Sequence, residues 1–479
     1  YNFLIFLLGG FMSSRNIKLL IPVLVAVVMW FIPAPEGLSQ NAWHFLAIFL
    51  AVVVGLILEP IPAALIGFAG VALIAALGLI GNPTMSINWA LSGFSNSVIW
   101  LIFAAFMFAL GYKKTGLGKR VSLLMVKYMG KSTLGLGYAV AFSDLVLAPF
   151  MPSNTARSAG TIYPIAINIP QIFNSLPNNE PRKIGSYITW VAIASTSVTS
   201  SMFLTALAPN LLAVDLMGRH TQHTLTWMEW ATIMVPIMIP LFLLTPWLTY
   251  VIYPPTQKKS PEAPKWAAEE LKKLGNVTFK EYLMAGLAVV ALVLWIFGKE
   301  IGINATTTAI CVMTVMVLTG IISWDDLLSE KAAFNVFIWF ATLVALADGL
   351  KRVGVLDFIG KNSESMLSGL DTMALIISLL VLFYVLHYFF ASTTAHVTAL
   401  VPLFMVIATT FIPADQIIPF MVLLAGSLGV MGIITPYGSG PNPIWYGAGY
   451  ISQAKWWGLG AIFGGLYLIF IILGVFIFM

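Results

Sequence analysis

Cysteine and charge are both scarce in this sequence. Cys311 is the only cysteine, so no disulfide within the chain is possible and a disulfide-stabilised scaffold is excluded. Charged residues make up 9% of the 479 residues, against roughly 25% in a soluble domain. Hydrophobic residues make up 59%, and the mean hydropathy is +0.93. These values exclude a soluble globular protein and predict an all-α polytopic membrane protein.

The formal net charge of +5 does not indicate nucleic-acid binding. Most Lys and Arg residues lie in short loops between apolar runs, as expected for cytoplasmic loops of a membrane protein. A cleavable signal peptide is not expected, because the first 12 residues lack a basic leader and a small-residue cleavage site. Since the chain starts at Tyr1, the true amino terminus is expected to be missing.

Apolar runs long enough to cross a bilayer predict about 11 transmembrane helices. Arg15 and Lys18 precede the first run, so the amino terminus is predicted to be cytoplasmic and, after an odd number of crossings, the carboxyl terminus external. The predicted spans lie near 17–33, 42–58, 62–80, from Asn96 to Lys113, 186–217, 230–253, 281–298, 303–322, from Asn335 onwards, 417–448 and 455–478.

Two further apolar segments, near 132–168 and 371–408, are broken by proline or by Ser/Thr clusters. Each limb looks too short to cross alone, so both segments are predicted to be re-entrant helical hairpins, the first entering from the cytoplasm and the second from outside. The spans at 186–217 and 417–448 are also interrupted, at 208–210 and 438–442. Such breaks in a bilayer are tolerated only where they are buried in protein or line a polar cavity.

The breaks and hairpins recur in the same order in both halves of the chain. After an amino-terminal segment and first helix at 1–40, repeats are predicted at 41–253 and 281–479, joined by a cytoplasmic linker at 254–280. Six crossings precede the linker and five follow it, which predicts an inverted repeat. The matched pairs are Asn96 with Asn335, Lys113-Lys114-x-Gly116 with Lys351-Arg352-x-Gly354, and Pro209-Asn210 with Pro441-Asn442.

Two polar segments test this topology. Residues 262–274 have helical composition with Glu269 and Lys273 at i,i+4, which predicts a short helix along the inner surface. Lys351 and Arg352 fall on the side predicted to be external, against the usual distribution of basic residues, although Asp348 lies nearby.

The polar breaks are suited to bind an anion. Ser153 and Ser392 are natural N-caps, and the free N–H groups at a helix start, together with hydroxyl and amide groups, can donate to a carboxylate. Four such breaks meeting at the repeat interface would form one pocket for a small carboxylated solute, without a metal or other cofactor. The candidate substrate-binding residues are Ser153, Asn154, Thr155, Pro209, Asn210, Ser392, Thr393, Thr394, Ser439, Gly440, Pro441 and Asn442.

Arg157 and His396 follow the two serines by one helical turn and occupy equivalent positions of the repeats. We expect them to offset the charge of a bound anion in place of sodium. The alternatives are that Arg157 snorkels or pairs with Asp144, and that His396 is a neutral histidine of the core.

These motifs resemble those of the divalent anion/sodium symporter family. The resemblance covers essentially the whole chain and is strongest to the exchanger branch, which includes bacterial citrate/succinate antiporters, plastid oxoglutarate/malate translocators and INDY-like exchangers. It implies a homodimer in the bilayer in which a scaffold supports a mobile transport domain, moving as an elevator. The motifs are Pro152–Arg157 followed by Gly160-Thr161-Ile162-Tyr163-Pro164, Ala391–His396, and Ser439-Gly440-Pro441-Asn442-Pro443.

The second tip departs from the sodium-coupled branch, because Thr393 stands where Asn is typical. The expected function is therefore sodium-independent exchange of di- or tricarboxylates, with succinate, malate, fumarate, 2-oxoglutarate and citrate as candidates, in a bacterial inner membrane. One alternative is a sodium-coupled symporter of the same solutes. A remote alternative is an intramembrane hydrolase that uses Ser392 with His387 or His396.

Overall fold

The computed structural model describes residues 14–367, 369 and 371–479. Within these residues the chain forms helices and no β-strand, which confirms the predicted all-α class. The predictions for the first 12 residues lie outside the described part, as does the beginning of the segment 1–40.

The first half of the chain runs from the first helix to the linker. Its helices, numbered in chain order, are α1 Ser14–Phe31, α2 Gln40–Leu58, α3 Ala63–Ala76, α4 Pro83–Leu91, α5 Ser97–Thr115, α6 Leu117–Met129, α7 Thr133–Leu147, α8 Tyr163–Ala166, α9 Asn168–Ile172, α10 Gly185–Met202, α11 Ala208–Thr221 and α12 Trp227–Ile252.

The second half begins with the linker helix and ends at the carboxyl terminus. Its helices are α13 Glu262–Leu274, α14 Phe279–Phe297, α15 Ala305–Leu318, α16 Trp324–Ser329, α17 Lys331–Arg352, α18 Val355–Leu367, α19 Thr372–Leu386, α20 Thr393–Phe411, α21 Ile417–Met431, α22 Asn442–Gly447 and α23 Gln453–Phe478.

Each of the eleven predicted spans coincides with a helix or a broken pair of helices. Ten helices in the described residues are long and apolar enough to cross a bilayer. Three of these ten are hairpin limbs, Thr133–Phe150, Thr372–Phe389 and Thr393–Phe411. The expectation that every limb is too short to cross is therefore wrong, because the apolar stretches extend to within a few residues of each polar tip.

Helix ends follow from local capping. The Asn96 side chain accepts hydrogen bonds from the Val98 and Ile99 N–H groups, so α5 begins where the sequence predicts. The linker helix α13 has the predicted bounds, but the Lys273 amine donates to Glu270, 2.6 Å away, and not to the predicted partner Glu269. The short helices α4 and α16 were not expected.

Both breaks begin earlier than predicted, although the second includes residues 438–441 of the predicted interruption. The first break lies between the end of α10 at Met202 and the start of α11 at Ala208, so Pro209 belongs to the first turn of α11. The second lies between α21 and α22, and Asn442 begins α22. Proline is favoured in a first helical turn, where its missing N–H has no partner to lose, so in both spans it marks a restart of the helix.

The ends of α5 and α17 are alike, as the repeat predicts. Each has two basic residues in its last turn, followed by a glycine with positive φ, 78° at Gly116 and 82° at Gly354. The beginnings differ. Asn335 lies one turn inside α17 and does not cap it, so its match with Asn96 does not extend to the capping role.

The two repeats share one core. α10 packs against α21, α11 packs against α20, and α3 packs against α17, so each contact joins one repeat to the other. Every residue of α10 is buried, although the helix is rich in serine and threonine. This central position places α10 directly behind the tip of the first hairpin.

Candidate anion-binding site

The two hairpin tips have the predicted capping serines. Ser153 Oγ accepts a hydrogen bond from the Ala156 N–H at 3.2 Å, and Ser392 Oγ accepts one from the Ala395 N–H at 3.4 Å. Both bonds span three residues. After the first tip the chain forms a π-helical segment, Thr155–Ile162, whereas after the second it continues as the α-helix α20.

Arg157 lies beyond the first tip and is fully buried. Its Nε donates to Asp144 Oδ2 at 3.1 Å, and its Nη1 donates to two backbone carbonyls, those of Met151 and Ala206, both at 2.8 Å. Nη2 donates to Ser200 Oγ at 2.9 Å and to Thr199 Oγ1 at 3.5 Å. All five N–H groups of the guanidinium therefore have partners within the protein.

The pairing of Arg157 with Asp144 is the alternative that the sequence left open. Asp144 lies on α7 and also accepts hydrogen bonds from the hydroxyls of Thr196 and Thr199 on α10. Because the Thr196 hydroxyl hydrogen is directed to Asp144, the Ser158 hydroxyl can donate to Thr196 Oγ1, 3.0 Å away. The first hairpin is thus bonded to α10 by a buried polar network.

The hydroxyl residues of α10 belong to this network and are not among the predicted site residues. Their signal in the sequence is a run of Ser and Thr in an apolar span, Ser195-Thr196-Ser197-Val198-Thr199-Ser200-Ser201. In a membrane helix so many hydroxyls require buried partners or a polar cavity.

His396 lies beyond the second tip in different surroundings. It is fully buried, and its ring packs against Phe383, Phe390 and His387, with centroids 4.3, 5.0 and 5.1 Å away. Neither ring nitrogen has a hydrogen-bond partner. His387 Nε2 instead contacts the carbonyl oxygen of Gly438 at 2.6 Å, which joins the second tip to the second break.

The two breaks are held by equivalent asparagines. Asn210 Nδ2 donates to the carbonyls of Ser200 and Phe203, and Asn442 Nδ2 donates to those of Gly432 and Thr435. In both repeats the acceptors lie ten and seven residues before the asparagine. These bonds satisfy carbonyls that the break leaves without helical partners.

The first tip touches both breaks. The Ala208 N–H donates to the Pro152 carbonyl at 2.7 Å, and Trp445 Nε1 donates to Ser158 Oγ at 3.0 Å. Gly440 lies so close to the first tip that a Cβ there would overlap the Thr155 hydroxyl. Contacts therefore join the first tip to both breaks, and His387 joins the second hairpin to the second break.

The predicted site residues divide by exposure. Ser153, Thr155 and Ser392 are half-buried, and Gly440 is exposed. The other substrate-binding candidates are buried behind them: Asn154, Pro209, Asn210, Thr393, Thr394, Ser439, Pro441 and Asn442. Among the described residues no group of three or more His, Cys, Asp and Glu side chains is arranged to hold a metal ion.

Comparison with known proteins gives close relatives over the full length. The family described as the sodium:sulfate symporter transmembrane region matches residues 13–478. L-tartrate/succinate antiporters of Shigella sonnei (strain Ss046) and Escherichia coli O157:H7 are each 47% identical over 475 residues, covering 96% of this chain and 97% of theirs. The antiporter of that name from Escherichia coli (strain K12) is 46% identical over the same length.

Two solved structures share the fold at low identity. The YdaH transporter of Alcanivorax borkumensis has a TM-score of 0.58 at 13% identity, covering 91% of this chain and 98% of that one. MtrF of Neisseria gonorrhoeae, from a class of antimetabolite efflux pumps, has a TM-score of 0.57 at 14% identity, covering 98% and 95%.

The relatives are transporters, so this chain is an integral membrane transporter and not an enzyme, and the hydrolase alternative is wrong. A match that spans nearly every described residue places the chain in the divalent anion/sodium symporter family.

Proposed function

We propose that this protein exchanges small dicarboxylates across the bacterial inner membrane. The observation that carries the proposal is the contact of the first serine-capped tip with both broken helices, and of the second hairpin with the second of them, in a chain 46–47% identical to proteins named L-tartrate/succinate antiporters. The half-buried hydroxyls of Ser153, Thr155 and Ser392 and the adjacent free N–H groups can donate to carboxylate oxygens. Succinate and L-tartrate are the first solutes to test, followed by malate, fumarate, 2-oxoglutarate and citrate.

We infer sodium independence from the surroundings of Arg157. Its guanidinium is bonded to two backbone carbonyls, two hydroxyls and one carboxylate. Carbonyls of unwound helices are the ligands that bind sodium in transporters with broken helices. Arg157 therefore occupies the oxygen ligands a sodium ion would need at the first tip, and Thr393 leaves the second without the typical Asn.

The counter-charge role is proposed in a modified form. Because Asp144 neutralises Arg157, this pair contributes orientation of the first tip and little net charge. His396 has two nitrogens without protein partners, so it is the residue that can respond to a bound anion by taking up a proton. Obligate exchange is proposed from the relatives, which are named antiporters.

We also propose how the protein assembles and how it moves. The hairpins and broken helices would form the moving unit of an elevator, supported by the other long helices, in a homodimer with a cytoplasmic amino terminus. Short basic loops on one side favour this orientation.

Counterflow in proteoliposomes tests the proposal. Vesicles preloaded with succinate should take up labelled L-tartrate or succinate at the same rate when choline replaces sodium, and empty vesicles should take up almost none. Sodium-dependent uptake into empty vesicles would establish the symporter alternative.

A further inference from the structure

A cluster of charged residues joins α11 to α5 and α17 at the end of α11 remote from the first break. Arg219 Nε lies 3.1 Å from Asp215 Oδ2 on its own helix, and its Nη1 lies 3.9 Å from Asp348 Oδ1 on α17. Lys351 Nζ, also on α17, donates to the backbone carbonyl of Arg219 at 2.9 Å. The side chains of α17 therefore contact both the charge and the carboxyl-terminal end of α11.

The same cluster reaches α5 through Asn96. Its Oδ1 caps α5, while its Nδ2 donates to Asp215 Oδ1 at 2.9 Å. α5 and α17 are the two helices with matching carboxyl-terminal ends in the repeat. The helix that begins at the first break is thus bonded at its other end to both members of that pair.

Lys351 and Arg352 lie on the side of the membrane that the sequence predicts to be external, where basic residues are uncommon. Both basic residues have partners in this cluster. Lys351 donates to the Arg219 carbonyl, and Arg352 Nε lies 2.5 Å from Asp348 Oδ2. The side chains of Asp215 and Asp348 are 14% and 22% exposed, so the cluster is shielded from water more than a fully exposed ion pair. Such pairs are strong enough to bias a conformation and weak enough to break during turnover.

We propose that Asn96, Asp215, Arg219, Asp348 and Lys351 form a latch that holds α11 against α5 and α17 and opens during each transport cycle. α11 carries the first break, so movement of the anion site relative to α5 and α17 requires these bonds to separate. The latch rests on the proposed exchange function, because it would open in each exchange cycle. Of its two tests, only the second measures exchange.

The first test does not depend on transport. In a Cys311→Ser background, Val214→Cys places a reporter on the buried side of α11, where Val214 is 5% exposed. Purified protein in lipid nanodiscs is labelled with a small water-soluble maleimide. Adding Asp348→Asn with Lys351→Gln should raise the labelling rate about tenfold, because two interactions that hold α11 are lost.

A matched control removes the same charges elsewhere. Asp357→Asn with Lys361→Gln changes two exposed residues of α18 outside the cluster and should leave the rate unchanged. Equal labelling rates in the latch variant and the control variant overturn the latch.

The second test locks the latch. Asn96→Cys with Asp215→Cys in the Cys311→Ser background should be cross-linked by a short bifunctional methanethiosulfonate reagent, because the native side chains meet in a hydrogen bond and the shorter cysteine side chains leave a gap that the reagent can span. The cross-link should abolish succinate counterflow, reduction should restore it, and each single cysteine variant should keep its counterflow after treatment with the reagent.

The outcomes separate the two proposals. Counterflow that survives complete cross-linking overturns the latch and leaves dicarboxylate exchange intact. Absence of counterflow in the reduced proteins and in the unmodified chain overturns the exchange function, and the labelling rates then decide the latch alone.

Discussion

The two hairpin tips share their architecture and differ in what lies one turn further on. Each has a capping serine and is followed by a break held by an asparagine at the same spacings. Beyond the first tip, Arg157 makes five hydrogen bonds within the protein, whereas beyond the second, His396 lies among aromatic rings with neither nitrogen bonded. The two repeats thus share a frame made of the capping serine and the break held by asparagine. They differ in the residue behind the tip, which is a hydrogen-bonded arginine, the anchor of the first tip, in one repeat and an imidazole without a hydrogen-bond partner in the other.

Removing the anchor should have the largest effect. Arg157→Ala leaves Asp144 charged and unpaired in a buried position, which costs about 3–5 kcal/mol of folding free energy. We expect a marked fall in the thermal unfolding temperature of the purified protein and loss of counterflow. Arg157→Lys should recover little, because an ammonium has three donors where the guanidinium has five. An unfolding temperature equal to that of the unmodified protein would contradict the anchor role.

The asparagines should behave alike in the two repeats. Asn210→Leu and Asn442→Leu each remove the donor to two backbone carbonyls without adding a charge, and a lost buried hydrogen bond costs about 1–3 kcal/mol. The two variants should therefore lower the unfolding temperature by similar amounts, less than Arg157→Ala does. A large effect in only one repeat would show that the frame is not shared.

His396 should affect transport more than stability. His396→Phe fits the aromatic surroundings and removes the nitrogens, so the unfolding temperature should stay close to that of the unmodified protein. Counterflow should fall roughly tenfold, the equivalent of about 1.4 kcal/mol. His396→Gln should transport as poorly, because it cannot take up a proton. Full counterflow in His396→Phe would show that the histidine serves packing alone.

The smallest effect is expected at Lys114, the first-repeat counterpart of Arg352. Lys114 donates to Asp326 at 2.5 Å, and this bond is the main reason that the pKa of Asp326 is lowered to about 2. A pKa that is lower in the folded state stabilises the protein at pH values above the ordinary pKa of about 4. This contribution is lost as the pH falls towards 2. Lys114→Gln should therefore reduce the unfolding temperature slightly at pH 7, and the difference should shrink between pH 4 and pH 2.

The spans and tips were predictable because the patterns that encode them are local. Apolar length identifies a span, and Ser153 and Ser392 cap their helices through bonds to residues three positions away. The contacts of Arg157 were not predictable in the same way. They join α7, α10 and the first break, so the choice between a free cation and a pair with Asp144 depends on tertiary packing.

The residues at which the two breaks begin were not predictable for a related reason. The predicted interruptions at 208–210 and 438–442 contain Pro209 and Pro441. Pro209 lies in the first turn of α11 and Pro441 is the N-cap of α22, and in both spans the chain leaves the preceding helix several residues earlier. Likewise, Asn335 resembles Asn96 in sequence context, yet α17 begins before it. The residue types show roughly where a helix begins or ends, and tertiary packing determines the residue at which it does so.

The hydroxyl-rich helix α10 has a consequence for biogenesis. It is buried along its whole length and is not among the ten helices apolar enough to cross lipid unaided. Its hydroxyls find partners on the first hairpin, which precedes it in the chain. We therefore expect α10 to leave the translocon together with that hairpin, so that assembly of the anion site and insertion into the bilayer are one event.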